Sequence, residues 1–362
     1  MFANQENRQA SYALTNKGNK MIARIAIASV LVAASISASV AQTKIVVAST
    51  RSMGSAGLLI ADEKGYYKQM GLDVQLVGIQ SAANIMAPLA TGEVHIVEGG
   101  MSVGFFNGLE QKLPFIMIYD LVSTPLGHKF IVRNELKGKV NKLSDLRGMR
   151  VGINSQTSVT AYELGKSLEA VGMTIKDVDT RILGFPQAGP AMVNGAIDAA
   201  LIVQPWAATL QLDNIGFELA DPDDFVKPSP ISLGGGYVNT EWAAKNKPAL
   251  RDFMTATMRA IREYCVAYHG GANRADVVAS ASRAKIGTPE NIEKFQWPGR
   301  NLSGEVNMPS ILDMQEWFHA QGFTKQKFPA SLIYTNEYVV AANEKLGPMP
   351  ALNPDSKLKG CR

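Results

Sequence analysis

The sequence predicts an α/β protein built of two similar lobes that two crossings of the chain connect. Three observations lead to this fold class. Short apolar strands alternate with amphipathic helical segments in the first part of the chain, the same pattern restarts near residue 149, and helical patterns dominate after Gly236. Alternating strands and helices favour a mainly parallel sheet with helices on both faces.

The elements of the first lobe come in βαβ order. Apolar runs predict strands at 44–49, 72–78, 94–97 and 115–119, and helical patterns cover 55–67, 82–90 and 102–110. The second lobe repeats this order, with strands at 149–153, 179–183 and 198–203 and helices at 158–171 and 187–194. Two stretches, PLATGEVHIV and AMVNGAIDAALIV, also share the sequence of helix end, glycine turn and strand. Two similar lobes are therefore favoured over one long sheet.

The helical segments of the last third are expected to pack back onto the first lobe; they span 240–268, 273–285, 305–321 and 330–345. The chain then crosses between the lobes near 120–130 and near 228–237, where Pro228, Pro230 and the glycines 234–236 indicate a hinge. The predicted division is residues 1–41 as a signal peptide, 42–127 as the first part of lobe 1, 128–232 as lobe 2, and 233–362 as the completion of lobe 1.

The N-terminal residues have the pattern of a cleaved signal peptide. Lys17, Lys20 and Arg24 precede an apolar run at 25–36, and small residues at Ser39 and Ala41 fit a cleavage site. We expect an exported, periplasmic protein whose mature chain starts near Gln42, with translation starting at either Met1 or Met21. No cysteine lies directly after the apolar run, so a lipoprotein anchor is not expected.

Charge and cysteine content exclude several classes of protein. Residues 1–41 hold four of the 36 basic and one of the 32 acidic residues, so the remaining chain has a net charge of +1. This balance gives no support for nucleic-acid binding. Cys265 and Cys361 are the two cysteines, and the sequence leaves open whether they form a disulfide.

The ligand site is expected in a cleft between the lobes, because open α/β sheets bind ligands beyond the carboxyl ends of their strands. The segments that follow predicted strands are 49–55, 78–84, 98–102, 154–158 and 204–206. The polar run NSQTS at 154–158 starts a helix, where free N–H groups and hydroxyls suit a carboxylate, sulfonate or phosphate. A helix cap and turn is the alternative interpretation of that run.

Six ordered stretches resemble the periplasmic substrate-binding proteins of the nitrate/sulfonate/taurine/pyrimidine ABC-import family, which includes receptors for thiamine-precursor-like ligands. They are LLIADEKGYYKQMGLDVQLV, LATGEVHIVEGG, LSDLRGMRVGINSQTS, LEAVGMTIKDVDTRI, VNGAIDAALIVQPW and YVNTEWAAKNKPALRDFMTATMRA. The resemblance implies two Rossmann-like lobes joined by two crossings, the type II periplasmic binding protein fold. It further implies that the lobes close over a small solute for delivery to a membrane permease and its ATPase. We expect a monomer without a cofactor.

The resemblance also suggests ligand-binding residues. Carried over by position, they are Arg51, Ser52, Gly54, Thr157, Ser158, Gln204 and Trp206. Ser81, Glu98, Ser102 and Ser155 join them as polar residues of the segments expected at the cleft, and His128 as a polar residue of the first crossing. Glu98 disfavours an anionic solute unless Arg51 or His128 offsets its charge. Arg51 and Glu98 could instead form a structural ion pair.

The sequence favours an anion receptor, such as one for a sulfonate or carboxylate, over other functions. An enzyme or a signalling sensor with the same fold, and a receptor for a pyrimidine or amine, are the alternatives. The chain contains none of the motifs G-x-S-x-G, H-E-x-x-H or a Gly-rich phosphate loop, and no spacing typical of a metal site. It also lacks the clustered cysteines of the fungal pyrimidine synthases with this fold. We therefore expect a binding protein, not an enzyme.

Overall fold

The structure, a computed structural model, describes residues 42–362. The predicted signal peptide at 1–41 lies outside the described residues. Two five-stranded sheets organise the rest of the chain. None of the helices within 42–362 is both long and apolar enough to cross a membrane.

The first sheet has the strand order β2-β1-β3-β10-β4. Its strands are β1 (Thr43–Ser49), β2 (Leu72–Gly78), β3 (Ile96–Gly100), β4 (Phe115–Asp120) and β10 (Gly234–Asn239). Strand β10 pairs antiparallel with both β3 and β4, so it is inserted among parallel neighbours.

The second sheet repeats this arrangement in the order β7-β6-β8-β5-β9. Its strands are β5 (His128–Arg133), β6 (Arg150–Ile153), β7 (Asp179–Ile182), β8 (Ala199–Val203) and β9 (Gly216–Ala220). Here β5 is the antiparallel strand, between β8 and β9. The chain passes between the sheets at 121–127 and at 221–233, and the two segments touch through a bridge between Ser123 and Ser232.

Helices cover both sheets, and fourteen α-helices lie within the described residues. The first seven are α1 (Ala56–Glu63), α2 (Tyr66–Gln69), α3 (Met86–Thr91), α4 (Val103–Glu110), α5 (Val159–Glu169), α6 (Ala188–Val193) and α7 (Trp206–Leu212). The last seven are α8 (Thr240–Lys245), α9 (Lys247–Tyr268), α10 (Arg274–Arg283), α11 (Pro289–Lys294), α12 (Met308–Ala320), α13 (Ala330–Ile333) and α14 (Glu337–Leu346).

The C-terminal third packs on the first sheet. The buried face of α9 joins α1, β1 and α14 in one apolar core, which contains Leu58, Phe253 and Val339. The same region holds a disulfide between Cys265 and Cys361, whose Cα atoms are 5.1 Å apart. The structure thereby answers the question that the sequence left open about these cysteines.

The expectation of a glycine hinge at 234–236 is wrong. These residues are the start of β10 and are buried. A Cβ atom at Gly235 would lie 1.9 Å from the Tyr119 carbonyl oxygen, and one at Gly236 would lie 1.9 Å from the Tyr119 ring. The glycines therefore allow close packing inside the sheet, and the connection between the sheets ends before them.

Candidate functional site

The carboxyl ends of the parallel strands in the two sheets face each other across one cavity. This inner cavity has a volume of about 50 Å³. Residues from the first-sheet side line one wall: Thr50, Ser52, Gly54, Gly100, Leu121, Val122 and Leu233. Residues from the second-sheet side line the other: His128, Asn154, Val159, Thr160, Phe185 and Val203. Each belongs to a strand end, or to a segment beside one, as expected for open α/β sheets.

The polar run after β6 forms a network around Asn154. Its Oδ1 atom accepts hydrogen bonds from the Ser158 hydroxyl at 2.9 Å and the Thr160 hydroxyl at 2.6 Å. Ser155 accepts one from the Thr157 backbone N–H at 3.2 Å. Asn154 and Thr160 line the inner cavity, whereas Ser155, Thr157 and Ser158 do not. The surplus of polar side chains in this run therefore serves to fix Asn154 and the start of α5.

Helix α5 begins at the inner cavity with a free backbone donor. The N–H group of Thr160 has no hydrogen-bond partner among residues 42–362, and the Ser158 side chain makes no capping bond. Both Val159 and Thr160 line the inner cavity. Unpaired N–H groups and the positive end of the helix dipole favour a negatively charged group at such a position.

His128 adds an ionisable side chain to the same wall. It is 7% exposed, and its Nδ1 atom lies 2.9 Å and 3.0 Å from the carboxylate oxygens of the fully buried Glu163. Burial alone would lower the pKa of His128, but the charge and hydrogen bond of Glu163 outweigh it and raise the pKa above its usual value. No local pattern in the sequence indicates Glu163, because its partner His128 lies 35 positions away.

The charged side chains of the first-sheet wall lie behind its backbone and do not line the inner cavity. The guanidinium of Arg300, which is 2% exposed, donates hydrogen bonds to the carbonyl oxygens of Gly54 and Leu121. Glu98, predicted at the cleft floor, is also buried and does not line the inner cavity. It accepts a hydrogen bond from Tyr119, and burial raises its pKa even though Tyr119 and Arg300 act in the opposite direction.

The alternative that Arg51 forms an ion pair with Glu98 is wrong. Within residues 42–362 Arg51 makes no ion pair, and the charge that acts on Glu98 is that of Arg300. Arg51 is half-buried beside the inner cavity without lining it, and its neighbour Ser52 does line it.

The other predicted site residues serve mainly local structure. Ser81 and Ser102 cap helical turns by accepting hydrogen bonds from the N–H groups of Ala83 and Phe105. The Gln204 side chain accepts from Ala208 N–H in the same way.

Trp206 stacks on Phe185 with ring centroids 5.5 Å apart. These rings belong to an outer chamber of about 300 Å³, lined also by Thr50, Gln80 and Gln187, which shares Thr50 and Phe185 with the inner cavity.

The two sides of the cleft touch around the inner cavity. The side-chain amides of Gln80 and Asn154 donate to each other's backbone carbonyl oxygens at 2.9 Å and 3.1 Å. Val103 N–H donates to the Thr157 carbonyl oxygen at 2.9 Å, and Met53 N–H donates to that of Gln204 at 3.1 Å. The structure is therefore a closed form, in which direct hydrogen bonds hold the walls together.

The inner cavity presents hydroxyls, a free backbone N–H group, one amide and one imidazole to a small occupant. Within residues 42–362, no group of three or more His, Cys, Asp or Glu side chains could hold a metal ion.

Comparisons with known proteins agree with this geometry. The model of the NMT1-like family matches residues 38–282. The alkanesulfonate-binding protein SsuA from Xanthomonas axonopodis pv. citri, solved bound to MOPS, is 17% identical with a TM-score of 0.67, over 81% of this chain and 99% of that chain. No curated protein sequence is a significant match.

Two further solved structures have the same fold. The periplasmic nitrate-binding protein NrtA from Synechocystis PCC 6803 is 16% identical with a TM-score of 0.68, over 86% of this chain and 91% of that one. A ligand-binding component of an ABC-type import system from Staphylococcus aureus is 11% identical with a TM-score of 0.69, over 83% and 99%. The predicted two-lobe α/β fold and the predicted family resemblance are both confirmed.

Proposed function

We propose that this chain, which belongs to the NMT1-like family, is the extracytoplasmic solute-binding component of an ABC importer. It captures a small anion, such as a sulfonate or carboxylate, in the inner cavity and delivers it to a membrane permease with its ATPase. Residues 1–41 direct its export to the periplasm, and it acts as a monomer. It is not an enzyme.

One observation carries the proposal. The free N–H group of Thr160 and the side chain of His128 converge on the same small cavity, with the hydroxyl of Ser52 on the facing wall. These groups can donate hydrogen bonds to an oxyanion without a metal ion. The structural relatives that bind an alkanesulfonate and nitrate support the choice of an anion.

Capture requires a movement of the walls, because the closed form leaves only a small cavity. We propose that lobe 2, residues 128–232, rotates against the rest of the chain about the segments 121–127 and 221–233. The solute then stabilises the closed form by joining groups of both walls. Trp206 and Phe185 cover its apolar part in the outer chamber.

A thermal-shift screen tests the proposal. Methanesulfonate, longer alkanesulfonates, acetate, nitrate, bicarbonate, small amines and pyrimidines are each added to the purified protein. A bound solute at a hundred times its dissociation constant should add about 2.7 kcal/mol to the free energy of unfolding. Stabilisation by an anion supports the proposal, and deletion of the gene should then abolish uptake of that anion. Stabilisation by amines or pyrimidines alone would overturn the anion assignment.

A further inference from the structure

His128 and Glu163 form a buried pair at the wall of the inner cavity. His128 opens β5, and Glu163 lies on α5, one turn beyond the helix start that reaches the same cavity. Both carboxylate oxygens of Glu163 lie within 3.0 Å of the Nδ1 atom of His128. A carboxylate can only accept hydrogen bonds, so the Nδ1 atom of His128 must carry the proton that it donates to Glu163.

The other ring nitrogen remains available to a solute. Among residues 42–362, no atom forms a hydrogen bond with Nε2 of His128, and His128 lines the inner cavity. Of the residues that line this cavity, His128 is the one with an ionisable side chain. The charge that the cavity offers to its occupant therefore depends on the proton at Nε2.

The charged groups around His128 favour that proton. Glu163 faces the ring from α5, and Asp221 and Asp223 act on it from the segment that follows β9. The ammonium of Lys129, the next residue on β5, lies 2.6 Å from Asp221 and 3.1 Å from Glu218, so it offsets part of that negative charge. On the facing wall, the cavity-lining residues carry no charge, and Arg300 lies behind Gly54 and Leu121.

We propose that the His128–Glu163 pair is the anion-recognition element of the inner cavity and makes solute binding depend on pH. The imidazolium of His128 donates its Nε2–H to an oxygen of the solute, and Glu163 is a positioning residue that orients the ring and keeps it charged. This inference rests on the proposed function, because it requires an anionic solute.

The loss of one proton reverses the role of Nε2. A neutral His128 keeps its remaining proton at Nδ1, where Glu163 accepts it, so Nε2 becomes an acceptor with a lone pair towards the cavity. An anionic oxygen of the solute would then face the Nε2 lone pair of His128, close to the buried carboxylate of Glu163, and both repel it. Affinity should be highest below the pKa of His128 and fall about tenfold per pH unit above it, since each binding event then requires the uptake of one proton.

Calorimetric titration with methanesulfonate and with nitrate, from pH 5.5 to 9.5, tests the inference. Both probes keep their charge over this range, so a change in affinity reports on the protein. Glu163→Gln retains the size and an acceptor but removes the negative charge. It should move the midpoint of the affinity profile to lower pH by about one unit or more, with affinity at pH 5.5 changed only a few-fold. His128→Gln should lose about 10- to 100-fold in affinity at pH 6 and lose the pH dependence.

His319→Gln is the matched control, since His319, on α12, donates a hydrogen bond to the Thr324 carbonyl oxygen and lines neither the inner cavity nor the outer chamber. Its affinity profile should equal that of the unchanged protein. A titration of the His128 ring by NMR without any solute should give a midpoint above 6.5, and this measurement stands even if Glu163→Gln fails to fold.

The outcomes separate the inference from the proposed function. Anion binding with the same affinity at every pH, an unshifted profile in Glu163→Gln, or an NMR midpoint below 6.5 would overturn the inference and leave the proposed function in place. Absence of binding by both probes, with no anion active in the thermal-shift screen, would overturn both.

Discussion

The two walls of the inner cavity are built in opposite ways. The first-sheet wall hides its charged side chains behind the backbone, where Arg300, Glu98 and Asp120 are each at most 2% exposed. The second-sheet wall directs its polar groups inward, through His128 and the network around Asn154. Buried charge in the first wall serves the shape of the site, whereas the second wall supplies the groups that can recognise a solute.

This difference predicts where stability and affinity can be changed independently. Arg300 holds the carbonyl oxygens of Gly54 and Leu121, so it fixes the backbone of the first wall without reaching its surface. A substitution behind the first wall should therefore mainly change the free energy of unfolding. A substitution at the second wall should mainly change the affinity for the solute.

The largest effect is expected from Arg300→Met. The change removes two hydrogen bonds and leaves Glu98 and Asp120 without the opposite charge that acts on both. Loss of one partner from such a buried charge group should lower the free energy of unfolding by about 3–5 kcal/mol, as measured by urea denaturation. Arg283→Met is the control, because its ion pair with Glu63 lies on the surface, and its stability should hardly change. Equal stability of Arg300→Met and the unchanged protein would contradict the role of hidden charge.

The next largest effect is a gain of stability that depends on pH. Burial raises the pKa of Asp120 to about 7, although Ser232, Arg300 and the Asn301 backbone act in the opposite direction. Because the folded-state pKa exceeds the unfolded value of about 3.8, protonation stabilises the fold at low pH, and this contribution is lost as the pH rises through 7. Asp120→Asn should therefore raise the free energy of unfolding at pH 8 by up to about 4 kcal/mol and change it little at pH 4.

Denaturation at both pH values checks this expectation, with the exposed Asp355→Asn as the control. A loss of stability at pH 8 in Asp120→Asn would show that the ionised carboxylate is needed next to Arg300. Solute affinity should be nearly the same in both variants, since Asp120 lies behind the first wall.

Gln80→Ala tests the contacts that close the cleft. The variant loses the side-chain hydrogen bond to the Asn154 carbonyl oxygen, which joins the two walls in the closed form. Affinity for the solute identified by screening should fall by about 0.5–1.5 kcal/mol, because the lost bond favours the closed form in which the solute is held. The melting temperature without solute should stay nearly constant. Gln75→Ala on β2, which is exposed and away from the cleft, is the control, and equal affinities of the two variants would contradict closure through Gln80.

The sequence predicted the order of most elements because apolar periodicity is a local signal. It missed three strands: β9 and the two antiparallel strands that follow the crossings, β5 and β10. HKFIVR was assigned to the region of the first crossing, and GGGYVN was read as a hinge because glycine runs usually mark loops. Glycine is required there because the side chain and backbone of Tyr119 pack directly against these residues. This contact joins residues more than a hundred positions apart, so no local pattern indicates it.

The segments around the cleft were predictable, but the individual contacts were not. The carboxyl ends of parallel strands share one edge of a sheet, so the segments after β1 and β3 had to lie near one another, as did those after β6 and β8. Which side chain points inward depends on packing, and this selects Asn154 and Thr160 from a run of similar polar residues. Arg300 lies about 180 positions from Leu121, and no local pattern indicates that contact.

Ser158→Ala, in the polar run at the start of α5, should have the smallest effect on solute affinity. The Ser158 hydroxyl donates to the side chain of Asn154 and to the Ser155 carbonyl oxygen, and it does not line the inner cavity. Its loss leaves Asn154 with the hydrogen bond from Thr160. The free energy of unfolding should fall by about 0.5–1.5 kcal/mol, with solute affinity changed less than about threefold.

Asn154→Ala is the matched variant, because it removes the acceptor that Ser158 and Thr160 share and the amide that bonds the Gln80 carbonyl oxygen. It should weaken solute binding more than Ser158→Ala does, as measured by calorimetry on both proteins. If Ser158→Ala instead loses tenfold or more in affinity at an unchanged melting temperature, its hydroxyl must contact the solute directly, and the second wall would then recognise the solute through the serine as well as through the groups it supports.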